Sequence, residues 1–161
     1  MATREQLLEA IVNADNRVIE IFARLTPGQA ATQVHLEEGG WSAKQVLAHL
    51  TSNDVRLDMY LDPDCTIASL YGQAYWDWNQ KWVDDRDGRD LASLIVEHQT
   101  QSASSIEKVR SITQAGLDRI VPAPGERPPR PISDWIEVVC VGHAIRHSGV
   151  VAEILGLTAK T

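Results

Sequence analysis

An all-α bundle is the fold class that this sequence predicts, and three observations carry it. Four long segments repeat apolar residues at helical spacing, two of them open on capping boxes, and almost nothing alternates with the two-residue period of a strand.

The first segment opens at Thr3 with Gln6 three residues on, and it places Leu7, Ile11, Ala14, Val18, Ile21, Phe22 and Leu25 on one stripe before Thr26, Pro27 and Gly28 end it. The second opens on Ser42 as N-cap with Gln45 at the third helical position and Trp41 placed to staple against Val46. It runs to Leu61 with Val46, Leu50, Leu57 and Leu61 as its apolar face, and His49, Asn53 and Arg56 lie alongside. Asp62, Pro63 and Asp64 break the chain, and Tyr75, Trp76, Trp78 and Trp82 then predict a short extra helix or an ordered Trp-rich loop packed over the bundle. The third helix is expected over Asp90 to Ala115, with Leu91, Leu94, Ile95, His98, Ser102, Ile106 and Val109 facing inward. Pro122, Pro124, Pro128, Pro129 and Pro131 make a stiff connection that excludes helix. The fourth helix follows, with Ser133 as expected N-cap, a face of Trp135, Ile136, Val139, His143, His147, Val150 and Ile154, and a stop at Gly156.

Length and charge bound the function. At 161 residues the chain is expected to form one domain over 1–161. Fifteen Lys and Arg against 22 Asp and Glu give a formal charge of −7 with no basic block, so nucleic acid is not expected as a partner. No run of 18 apolar residues occurs and the first residues lack an apolar signal core, which predicts no membrane partner and a cytoplasmic protein. Cys65 and Cys140 have no CxxC spacing and read as free thiols. Gly-rich phosphate loops and a nucleophile elbow are missing from the sequence.

The chemistry lies in the histidines. His143 and His147, four apart on one helix, project from the same face and can aim at one metal ion, and His49 on the second helix would complete a three-histidine site with open positions. A lone histidine on an apolar face is more often a satisfied core residue, and His98 reads that way. Two imidazoles buried one turn apart each lose hydration, at about 1–3 kcal/mol per unsatisfied group, and a shared ion removes that cost. Arg56 and Arg146 lie near the histidine faces and are candidates, with Asn53, to orient a substrate, although surface pairing explains arginines equally well. The tryptophans serve as core packing or as a pocket wall, and Cys140 reads as inert filling. Glu137 and Glu153 fall out of phase with the histidines, which disfavours a two-histidine, one-carboxylate iron site.

Two motifs carry a resemblance: Gly40-Trp41-Ser42-Ala43-Lys44-Gln45-Val46-Leu47-Ala48-His49-Leu50, and Gly142-His143-Ala144-Ile145-Arg146-His147 before Ile154. Both resemble the DinB-like metal-binding superfamily, and Tyr75-Trp76-Asp77-Trp78-Asn79 resembles a Trp-Asn segment of some members. The resemblance implies a four-helix bundle in up-down-down-up order, often a homodimer, with the metal triad on His49, His143 and His147. It also implies a small-molecule substrate and relatives such as thiol-dependent transferases and mycothiol-dependent maleylpyruvate isomerases, whose separate C-terminal domain has no counterpart here.

The expected function is activation of a low-molecular-weight thiol or of water by a divalent ion, zinc or nickel, for transfer, isomerisation or hydrolysis. The alternative is a non-catalytic dimeric bundle whose metal is structural or sensing, with His98 as candidate fourth ligand. A metal-free bundle would need the three histidines to point apart.

Overall fold

The protein is described from a computed structural model that covers residues 2–35, 40–62, 70, 72–122 and 128–157. Cys65, Pro63, Asp64 and Pro124 lie outside the described residues.

Helix α1 (Arg4–Phe22) starts as its sequence dictates: Gln6 N donates to Thr3 Oγ1 and Thr3 N to Gln6 Oε1. Thr26, expected only to end it, starts a second box with Gln29 and Pro27 at the first helical position, which produces the short helix α2 (Pro27–Ala31). A two-stranded pairing of β1 (Gln33–His35) with β2 (Trp41–Ser42) then leads into the Ser42 box of α3 (Ala43–Leu50).

The second long helix is two helices. Thr51 Oγ1 donates to Ala48 O and Ser52 Oγ to His49 O, so two consecutive hydroxyls take carbonyls that a continuing helix would use for its own amides. The chain restarts as α4 (Asn53–Leu61). The Trp-rich segment is helix α5 (Gln73–Asp84), capped by positive-φ Gly72. Asp90 caps α6 (Leu91–Ser111), which ends short of Ala115 because Thr113 opens a new turn, α7 (Gln114–Asp118). Strands β3 (Ile120–Val121) and β4 (Arg130–Pro131) pair antiparallel across the proline-rich connection.

The last bundle helix begins two residues earlier than Ser133 predicts. Pro131 holds the N-cap position of α8 (Ile132–Ile136), and Ser133 is buried with its hydroxyl unbonded among the described residues. A π-helical segment, Glu137–Gly142, follows and runs straight into α9 (His143–Ile154). Ile154, expected on the inner face, is exposed.

Four helical columns form the bundle: α1, α3–α4, α6, and α8 through α9. The first column packs on α6 and on the last column, while α3–α4 packs on the same two, so α1 and α3–α4 stand on a diagonal. One apolar cluster gathers Phe22, Leu47, Leu50, Leu94 and Val151, and the other Leu7, Ile11, Leu57, Val109, Trp135 and Ile136. Between them the inner faces turn polar: Asp15, Asn53 and His98 all sit at under 10% exposure. No helix among the described residues is long and apolar enough to cross a membrane.

Candidate metal centre

His49 is the next-to-last residue of α3, and His143 opens α9 with His147 one turn on. The packing of α3 against α9 brings these three rings together, with centroids 4.8 Å (49 to 143), 5.0 Å (49 to 147) and 4.5 Å (143 to 147) apart. One ligand atom from each lies within 4.8 Å of the others. Nitrogens bound at 2.0–2.1 Å to a tetrahedral ion are about 3.4 Å apart, so the widest pair has to close by up to about 1.4 Å for the three donors to hold a small divalent cation. Among the described residues this is the one group of three or more His, Cys, Asp or Glu so placed. His49 and His147 are buried, and His143 is half-buried on the open side.

The surrounding polar groups fix the ring orientations. His143 Nδ1 donates to Asn53 Oδ1 at 2.8 Å, which turns its Nε2 lone pair toward His49 Nε2, 2.9 Å away. Guanidinium groups only donate, so Arg56 Nη2, 3.2 Å from His49 Nδ1, and Arg146 Nη2, 3.0 Å from His147 Nε2, each face a ring nitrogen as acceptor. One consistent pattern follows: His49 carries its proton on Nε2 and shares it with His143.

The three candidate substrate-orienting residues divide. Asn53 is an outer partner of His143. Arg56 is buried at 6% exposure, donates to Ser52 Oγ at 2.6 Å, to Tyr75 Oη and to Asn79 Oδ1, and lies 5.3 Å from the ring centres of Tyr75 and Trp78. It ties His49 to α5. Arg146 is exposed.

Sequence reasoning put Tyr75 and Trp82 in a segment packed over the bundle and Trp41 at a helix start, but gave none of them, nor Asn79, a bond around the histidines. Trp41, read as a helix staple, lies 4.7 Å from the His49 ring and donates its Nε1 to Gln80. Asn79 is buried and receives Arg56, Tyr75 bonds the same guanidinium, and Trp82 Nε1 donates to Thr51 Oγ1 at the α3–α4 break. The signal was the polar spacing of Tyr75 and Asn79, four apart within an aromatic helix. His98 stands apart from the triad: its Nε2 is 3.1 Å from Asp15 Oδ1, and Ser102 Oγ donates to the same carboxylate. Burial pushes the nearby Cys140 thiol up to about 12, with the Asp15 and Asp54 charges adding to it.

Residues 10–151 match the family model of the DinB superfamily. No curated protein matches the chain. Solved structures with the same fold include the colibactin self-resistance protein ClbS in complex with dsDNA, at 12% identity over 99% of each chain with a TM-score of 0.77. An uncharacterized protein from Clostridium difficile 630 superposes at a TM-score of 0.79, with 10% identity over 99% of each chain. YfiT from Bacillus subtilis, described as a probable metal-dependent hydrolase with an unusual four-helix bundle topology, is 16% identical over 98% of this chain and 92% of its own, at a TM-score of 0.69.

One expectation is corrected by this comparison. The net charge of −7 was read as excluding nucleic acid, yet ClbS has this fold and was solved on dsDNA. Net charge averages over the whole surface, whereas binding depends on local charge and shape, so the exclusion does not hold for the fold.

Proposed function

The chain belongs to the DinB superfamily, and from that premise we propose that it is a metal-dependent enzyme in which His49, His143 and His147 hold one divalent ion, zinc or nickel. The observation that carries this reading is the convergence of three imidazoles from two helices, without a fourth His, Cys, Asp or Glu among the described residues. His98, the candidate fourth ligand of a structural site, turns to Asp15 instead.

An ion held by three neutral imidazoles keeps its full charge, and this makes a thiol or a water on its open side more acidic. The remaining chemistry belongs to the chain. Asn53 holds His143 with Nε2 turned inward, and for His49 to offer Nε2 as a neutral ligand its proton would have to pass to Nδ1, with Arg56 Nη2 drawing back from that nitrogen. Trp41, 2% exposed, covers one side of the His49 ring. Arg146, exposed beside His147, is the residue we assign to an anionic group of the substrate. Arg56, engaged with Ser52, Tyr75 and Asn79, is assigned to positioning His49.

The substrate is a small molecule, and the reaction is hydrolysis, or transfer or isomerisation through a low-molecular-weight thiol. The description of YfiT supports hydrolysis as the first assay. The proposal includes a homodimer acting in the cytoplasm, which sedimentation and cell fractionation test. The activity test is a panel of activated esters and amides, with and without added thiols, run on zinc- and nickel-loaded protein. Turnover that needs the metal and is lost in His49→Ala supports the enzyme. A loaded protein with no turnover on either set supports the alternative of a structural or sensing metal in a non-catalytic bundle.

A further inference from the structure

A second polar cluster lies inside the bundle, behind the metal centre. Asp15 from α1, His98, Ser102 and Ser105 from α6, Asn53 from α4 and Cys140 from the π segment line one small cavity. It has about 10 Å³ of room for a water's centre, the size of a site for one molecule. His98 is 2% exposed, and although its Nε2 lies 3.1 Å from Asp15 Oδ1, neither ring nitrogen makes an aligned hydrogen bond to a described residue. A buried imidazole in that condition requires a partner. Apolar cavities stay dry, but a polar one with several donors and acceptors around it holds water.

We infer that this cavity is a specific water site, in which one water bonds the His98 ring and links it to Asn53. The link gives the site a role. Asn53 Oδ1 receives the Nδ1 proton of His143, so whatever fixes the rest of the Asn53 amide also fixes the face that His143 presents inward. Asp15, held by Ser102, orients the His98 ring from the other side. His98 is therefore a positioning residue that acts on the proposed metal centre through a water and Asn53, and this last step rests on the metal reading above.

The test has two arms. A high-resolution crystal structure of the wild-type protein soaked with zinc is expected to show one ordered water within hydrogen-bond distance of the His98 ring and of Asn53. A cavity without density, or one collapsed so that His98 bonds Asn53 or Ser105 directly, overturns the water site. Zinc affinity is then measured by chelator competition for wild type, His98→Leu and His98→Gln. The Leu variant is expected to bind about 10-fold more weakly, while Gln, which keeps a donor and an acceptor, stays within about 3-fold of wild type. Equal affinity of all three overturns the positioning role. Should the Leu variant fail to fold, the wild-type crystal still decides the water, and Asn53→Asp against Asn53→Leu decides the linkage: retained affinity in both overturns it. A cavity water in wild-type protein that binds no zinc sinks the metal reading and leaves the water site standing.

Discussion

His147 and His98 are equally hidden from solvent, at 0% and 2% exposure, yet they keep different company. His147 has His143 one turn before it and His49 across the bundle, all with nitrogens converging on one point. His98 has Leu94 and Ser102 one turn either side and faces a carboxylate across the bundle. Burial alone therefore says little about a histidine's role; the neighbours at i±4 and on the facing helix decide it. Converging neutral rings suit a cation, whereas a ring beside a held carboxylate suits a hydrogen-bonded network.

The comparison can be broken first at Cys140, which lines the His98 cavity. With its thiol at about 12 rather than the usual 8.5, the thiolate fraction near pH 8 falls on the order of 10³-fold. Native protein carrying Cys65→Ser should resist iodoacetamide at pH 8 and react only when unfolded. Rapid native alkylation would make the His98 cluster a reactive site after all.

At the triad, His143→Ala should weaken zinc binding by more than about 100-fold, beyond the range of about 10–100-fold typical of outer partners. Asn53→Leu should fall inside that range, as measured by competition with a chromophoric chelator. Should Asn53→Leu cost as much as His143→Ala, Asn53 is a ligand and the geometry is wrong.

The smallest expected effect lies outside both histidine clusters. Lys108 sits 2.9 Å from Asp54 and 2.8 Å from Asp58. Burial pulls its pKa down, but hydrogen bonds and charge from Asp58 and Asp54 outweigh that and leave it raised. A raised folded pKa gives stability that is complete below the unfolded lysine value of about 10.4 and is lost as pH rises through the folded value. Thermal melts should fall above that pH, and less steeply in Lys108→Met. An equal slope in both would place the alkaline transition elsewhere.

Much of this molecule was legible. Thr3 with Gln6 and Ser42 with Gln45 fixed two helix starts because a cap is a local bond whose partners are three residues apart. The meeting of His49, His143 and His147 was legible because the His143–His147 spacing is local and His49 lies alongside the apolar face of its helix. The α3–α4 break was not, since Thr51 and Ser52 are tolerated inside helices and the sequence does not show where their hydroxyls go. The π segment was missed because six residues of slightly wider turn leave the apolar pattern nearly unchanged. His98 was read correctly as a core histidine, but its carboxylate lies 83 residues away in sequence (98 − 15) and no periodicity connects them. Partner choice was misjudged by charge because composition carries no information on where charges lie.

The central claim is the three-histidine metal site, and metal content tests it most directly. Untagged protein, with no metal added during purification, should carry about one zinc or nickel per chain by mass spectrometry, and so should His98→Gln, while His147→Ala should carry almost none. Metal retained in His147→Ala, or none in the wild type even after incubation with zinc or nickel, would contradict the account.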